Sequence, residues 1–403
     1  MDNSVLSKAL SGFRWSIALR LSSQLLSWLS TLLVIRWLTQ ADYGIMSLAE
    51  VFVTFAFMFS SFGIAKALVQ SDTLSDDVLR QAMGFAIATG IILFIVLFLA
   101  APYIAHYYQQ ASLVTVLRVL AVIFLLSPWE LIAGALLDRD MAFKQKAIVS
   151  AWIHVAASIA VIVMAYSGFG VWALVFTMLG QKLCFAIGYT LLAKRIVMPV
   201  FALDKVMPLL KFSIYILLAD LIWFLTNRLD ILAGGKLYSI SDIGIYAVAI
   251  HLSNLITTKV MPVFKQVAFS AFSRYQRELD KVSYYLKTTL QLACLTSYPL
   301  FFGIAAISPL LIPLLLGDKW QGVAIILSLT AISIPLRIQY GLINLTMETQ
   351  GKGKQVFMLR IAVLLLFAAA LLAFSSLGIV GLAYAWLVTS SISLIMATLQ
   401  AGN

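Results

Sequence analysis

The chain has 403 residues, of which 62% are hydrophobic and 11% charged, with a formal net charge of +11 and a mean hydropathy of +0.99. A soluble domain carries about 25% charged residues, so this composition excludes a solvated globule and identifies a multi-spanning membrane protein. Cys184 and Cys294 lie inside apolar runs, and His106, His154 and His251 are scattered. With no phosphate-binding glycine loop and no nucleophile elbow, the sequence offers no disulfide scaffold, metal site, cofactor site or catalytic motif.

A spanning helix needs about 20 apolar residues, and twelve such segments are read in chain order. The first covers 14–38, within "FRWSIALRLSSQLLSWLSTLLVIRW". It is too long for the core of a cleaved signal and lacks a small-residue cleavage site, so it is read as a retained helix. Ser16, Arg20, Gln24, Ser27 and Thr31 recur every three or four residues. They therefore stack on one helix face, which suggests a wet cavity beside the first segment. Segments over 45–69, 83–101, 113–137, 147–166 and 170–193 complete a first set of six. A second set follows at 211–233, 243–266, 286–308, 321–346, 356–376 and 378–400. Asp220 and Asn227 share a face of the seventh segment, and His251, Asn254 and Thr258, with Lys259 adjoining, stripe the eighth. Pro262 and Pro335 are expected to kink their helices. The longest connection, 267–285, reads as an amphipathic or interfacial piece.

Orientation follows from lysine and arginine. With the N-terminus in the cytoplasm, eighteen basic residues fall in or beside cytoplasmic connections, and only Arg36, Lys236 and Lys319 fall opposite. Both termini are then cytoplasmic, and 102–112 and 309–320 lie outside. The net positive charge is mostly this asymmetry, so nucleic acid is not required as a partner.

The chain also repeats itself. "WLTQADYGIMSLAE" (37–50) aligns with "LYSISDIGIYAVAI" (237–250) at an offset of 200, pairing Arg36 with Lys236, Asp42 with Asp242 and Gly44 with Gly244. "FGVWALVF" (169–176) echoes "LGIVGLAY" (377–384) at an offset of 208. Each half holds six segments, an even number, so the copies share one orientation. The predicted fold is an all-α membrane protein of two six-helix lobes, 1–195 and 211–403, joined by a cytoplasmic linker at 196–210. Such a pair of bundles is a transporter architecture, with the substrate path between the lobes. Gly44 and Gly244 are expected to open equivalent short turns.

Seven cations remain inside spans: Arg20, Lys66, Arg118, Lys182, Arg228, Lys259 and Arg337. Each costs about 3 kcal/mol at a lipid-facing helix centre, so each must snorkel, pair or face a wet interior. Lys66 and Arg228 lie near helix ends, where snorkelling suffices. Arg20, Gln24, Lys259, Asn254, Arg118, Lys182 and Arg337 are the candidate substrate-binding set, with Lys182 and Arg337 open to satisfaction by a local partner. The acids in or near the spans are Glu50, Glu130, Asp220 and Asp230. Cations outnumber them, and a cationic cavity suits a phosphate or diphosphate. Asp220 and His251 are the candidates for coupling to an ion gradient.

"LTQADYGIMSLAEVF" after a polar-striped first helix, "LLDRDMAFKQKAIVSAW" (136–152) and "GFGVWALV" (168–175) resemble the polysaccharide transporter family, and most of all its colanic acid exporter branch. That family is part of the multidrug/oligosaccharidyl-lipid/polysaccharide superfamily. The resemblance spans the chain. It implies a flippase of the bacterial inner membrane that moves undecaprenyl-diphosphate-linked sugar repeat units by alternating access. It also implies polymerase machinery as a partner, and no enzyme activity. Family members often carry further C-terminal helices, so the ending "ATLQAGN" reads as a truncated copy. Three other classes carry marks that this sequence lacks. A drug antiporter of the same superfamily calls for an acidic cavity. A major facilitator calls for a basic Gly-Asp-Arg loop where "SDTLSDDVLRQ" stands. A glycan polymerase or ligase calls for a large outer loop.

Overall fold

The structure is a computed structural model. It describes residues 27–61, 68, 75–202, 207–274 and 278–401, apart from the side chains of 61, 207–219, 256, 258–260, 262–274 and 279. Helices follow one another throughout: α1 over 27–37, α2 Gln40–Ser61, α3 Asp76–Tyr108, α4 Ser112–Ala121, α5 Ile123–Arg139, α6 Phe143–Tyr166 and α7 Val171–Ala193. Then come α8 Met207–Leu237, α9 Ile240–Arg274, α10 Leu279–Leu316, α11 Gln321–Thr349, α12 Gly353–Ala373 and α13 Ile379–Ala401. The described part of every predicted segment falls on a helix, the fourth being divided between α4 and α5 by a turn at Val122; residues 14–26 of the first and 62–67 and 69 of the second lie outside the described residues. Among the described residues, nine helical stretches are long and apolar enough to cross a bilayer. The segment 267–285, read as amphipathic or interfacial, holds the end of α9 and the start of α10, with 275–277 outside the described residues.

The chain divides into two compact units, Met1–Leu221 and Ile222–Asn403. The division falls inside α8. The head of the predicted linker packs into the first unit: Val197 is buried with Leu79, Met83 and Ile132, and the Val200 N–H donates to the Arg80 carbonyl at 3.0 Å. Arg195 pairs with Asp76 at 2.5 Å across the same end.

Each unit is built around its fourth segment. α5 packs against α3 and α7, and α11 packs against α10 and α13, the corresponding third and sixth segments. These two segments are the most buried of the spans. Outward side chains such as Ile92, Val96 and Leu99 on α3 form an apolar exterior suited to lipid. Two of the prolines inside the helices are compensated locally. Pro128 has no N–H for the Phe124 carbonyl, and the Ser127 hydroxyl donates to it at 3.1 Å. Pro309 likewise frees the Ala305 carbonyl, which accepts from Ser308 at 3.1 Å and Ser328 at 2.8 Å. α11 passes through Pro335 as one helix.

The repeat is visible in the backbone. Thr39 and Ser239 start α2 and α9, and each hydroxyl receives the N–H of the aspartate three residues on, at 3.2 Å in both. The aspartate reaches back: Asp42 Oδ2 accepts the Thr39 hydroxyl at 2.6 Å, and Asp242 Oδ2 accepts the Ser239 hydroxyl at 2.7 Å. This is a capping box with aspartate in place of glutamate. The turn is therefore made by Thr39 and Ser239, while Gly44 and Gly244 lie one turn inside the helices, which corrects the expectation placed on the glycines. Gly170 and Gly378, eight positions out of step with that pair, open the sixth segments with φ 54° and 67°. A third match joins the fourth and fifth segments. Met141 and Gly351 both adopt positive φ, 52° and 78°, and the residues that follow, Ala142 and Lys352, have φ/ψ of −74°/36° and −77°/34°. An ion pair ties each loop: Asp138 to Lys146 at 2.7 Å, and Glu348 to Arg360.

Candidate functional site

Polar groups inside the spans collect around the buried fourth segment of each unit. In the first unit α5 carries Glu130 and α7 carries Lys182, whose ammonium donates to the carboxylate at 2.8 Å and stands 4.9 Å from the ring of Phe57 on α2. One residue earlier on α7, the Gln181 amide meets His154 of α6 at 2.8 Å. Arg118, in the last turn of α4, lays its guanidinium 4.6 Å from the ring centre of Phe98 on α3. Its Nε is buried with no hydrogen-bond partner among the described residues.

In the second unit the corresponding charge has the opposite sign. α5 reads Pro128-x-Glu130-x-x-x-Gly134 and α11 reads Pro335-x-Arg337-x-x-x-Gly341. Arg337 is half-buried, donates to the Asn227 side chain of α8 at 3.2 Å, and stacks on Trp386 of α13 with 4.2 Å to the ring centre. The Trp386 indole N–H donates to Asp230 at 2.8 Å, and the Tyr246 hydroxyl of α9 donates to the same oxygen at 2.5 Å. Asp230 is 2% exposed. A carboxylate this deep is tolerable only because these donors, with the Ile231 N–H at 2.8 Å, satisfy it.

The predicted set is thus distributed between the two units. Arg118 and Lys182 lie in the first, Asn254 and Arg337 in the second. Arg20 and Gln24 lie outside the described residues, as do Lys66 and the side chain of Lys259. Asp220 and His251 project exposed side chains from α8 and α9, and Asn254 is half-buried. Sequence reasoning noted Asp230 only as one of four acids, and missed Tyr246 and Trp386. Trp386 sits in an apolar run 156 residues from Asp230, so no local spacing marks it. The available signal was the repeat, carried into the fourth segment, where it aligns Glu130 with Arg337.

Chemically, the first unit closes its cation at Lys182 with a carboxylate, whereas the second presents an arginine backed by an aromatic ring. A family profile described as "Polysaccharide biosynthesis protein" matches residues 33–325. The teichuronic acid biosynthesis protein TuaB of Bacillus subtilis (strain 168) is 24% identical over 383 residues, covering 92% of this chain and 77% of that one. The lipopolysaccharide biosynthesis protein WzxC of Escherichia coli (strain K12) is 22% identical over 331 residues, covering 81% and 66%. Among solved structures, the lipid II flippase MurJ in an inward closed conformation superposes with a TM-score of 0.74 at 14% identity, covering 96% of this chain and 87% of that one. At that identity the likeness establishes the shared fold.

Proposed function

The chain belongs to the polysaccharide biosynthesis protein family, and from that premise we propose that it is a flippase for undecaprenyl-diphosphate-linked oligosaccharide repeat units. It would work by alternating access in the bacterial inner membrane, with both termini cytoplasmic, and hand its product to a polysaccharide polymerase. Family membership supports the substrate class, and MurJ, named as a flippase of lipid II, has the same fold.

The observation that carries the reading at the site is Arg337, a spanning-helix cation that stacks on an aromatic ring and hydrogen-bonds a neutral amide. A guanidinium with uncommitted N–H donors on a spanning helix suits a phosphate ester, and is ill suited to a cationic drug. The chemistry asked of the protein is binding and release, so no bond-making group is assigned. Asp220 and His251 are the groups through which an ion gradient would act, since both are exposed on neighbouring helices of the chain.

Deletion in the native host tests the proposal. Surface polymer is expected to disappear, and lipid-linked repeat units to accumulate on the cytoplasmic leaflet. Normal polymer with altered drug efflux would overturn it in favour of an antiporter.

A further inference from the structure

Among the described residues, Arg337 in the second unit sits on an aromatic ring without a carboxylate partner, as Arg118 does in the first, but its ring is itself hydrogen-bonded to a buried acid. Of the five N–H donors of Arg337, one is committed to Asn227. No ion pair to it is formed among the described residues. The Trp386 ring, 4.2 Å from the guanidinium carbon, accepts none of its in-plane N–H donors in a hydrogen bond. Those donors are the part that grips phosphate with two parallel hydrogen bonds.

Trp386 is itself pinned. It is 6% exposed, packs on Phe367 with ring centres 4.3 Å apart, and gives its only N–H to Asp230. We propose that Arg337 grips a phosphate of the lipid diphosphate, and that Asp230 and Tyr246 are positioning residues acting on it through Trp386. This rests on the flippase reading above.

The physical argument has two parts. A carboxylate that accepts the indole N–H pushes electron density into the ring, which strengthens the attraction of its face for a cation. At the same time Asp230 directs its oxygens at Trp386, Tyr246 and Ile231. The negative charge thus orders the site without capping the guanidinium edge. The first unit shows the contrast: Glu130, aligned with Arg337, reaches Lys182 directly at 2.8 Å and neutralises it. At this aligned position the two repeats therefore differ.

Pyrophosphate titrated onto the purified full chain in detergent, with affinity read by calorimetry, provides the test. Arg337→Gln is expected to weaken binding at least tenfold, and Arg337→Lys several-fold, because an ammonium lacks the fork. Trp386→Phe keeps a ring but severs the link to Asp230, and is expected to weaken binding about three- to tenfold. Asp230→Asn should do the same. The double variant Trp386→Phe/Asp230→Asn should bind no more weakly than Trp386→Phe alone, since Asp230 acts through the indole. A short-chain polyprenyl diphosphate should displace pyrophosphate. Unchanged affinity in Arg337→Gln, additive losses in the double variant, or pyrophosphate that the lipid fails to displace would each overturn the proposal. Arg337→Lys, the mildest change, keeps the test open where another variant does not fold. The two readings fail separately. If the host exports polymer through this chain while affinity ignores Arg337, the flippase reading stands and the grip falls. If affinity follows Arg337 but deletion leaves lipid-linked units unaltered, the reverse holds.

Discussion

Asp42 and Asp242 occupy equivalent positions but hold different numbers of groups. Asp42 Oδ2 accepts the Thr39 N–H at 2.9 Å as well as its hydroxyl, and Oδ1 accepts the Val171 N–H at 2.9 Å, tying the start of α2 to the start of α7. Asp242 Oδ2 accepts only the Ser239 hydroxyl among the bonds described. In the second unit that tie passes instead to the Tyr238 hydroxyl, which donates to the Ser375 carbonyl at 2.8 Å. Asp42→Ala is therefore expected to cost about 2 kcal/mol and Asp242→Ala about 1 kcal/mol or less, in the range of lost helix caps. Thermal unfolding of the two variants in detergent checks the order, and equal losses would contradict it. Glu130 and Lys182 make a second residue-scale case. Their side chains are 24% and 26% exposed, between the surface and buried limits, so a double-mutant cycle of Glu130→Gln and Lys182→Met should give a coupling of about 1–2 kcal/mol. A coupling near zero would show that the two charges act independently.

At the scale of elements, the loop between the fourth and fifth segments was written twice with different residues. Gly351 takes φ 78° at no steric cost, whereas Met141 takes φ 52° with a side chain. The left-handed conformation costs a non-glycine residue roughly 1–2 kcal/mol. Met141→Gly should accordingly be neutral to stabilising by about 1 kcal/mol, the gain being reduced by glycine's freedom in the unfolded chain. Gly351→Ala should destabilise by a similar amount. Melting temperatures moving in opposite directions in the two variants are the expected result, and a marked fall for Met141→Gly would show that this side chain contributes packing. The sequence echo did not extend to this loop because backbone conformation is repeated here while residue type is not. The matching ion pairs, Asp138 with Lys146 and Glu348 with Arg360, differ in spacing and escape an alignment at constant offset.

For the whole molecule the prediction is topological. Reporter fusions at Tyr108 and Lys319 are expected to read outside, and one at Lys205 inside, because basic residues concentrate at the ends joined by even-numbered connections to the N-terminus. A reversed signal at Lys205 would break the division into six and six. The first helix carries a related test. Arg20→Ala should leave protein level in the membrane intact, since it removes an expensive charge, yet abolish surface polymer, with Arg20→Lys partly active. Wild-type export by Arg20→Ala would mean that this arginine only snorkels.

The sequence by itself determined that the chain crosses a bilayer many times, roughly where its described helices lie, and that the two halves resemble each other. Those properties rest on apolar run length, on charge asymmetry and on capping residues such as Thr39 with Asp42, all of which act within a few residues of the chain. Which cations are neutralised was decided only by the tertiary structure. Lys182 meets Glu130 from 52 positions away, and Arg337 finds Asn227 and Trp386 across 110 and 49 residues. Inside a membrane protein every helix is apolar on most faces, so hydrophobic periodicity does not say which face meets which neighbour. Packing of α8, α9 and α13 around one buried aspartate settles that for Arg337, because Asp230, Tyr246 and Trp386 can all be satisfied only when those three helices close on one another and present Asn227 and Trp386 to α11.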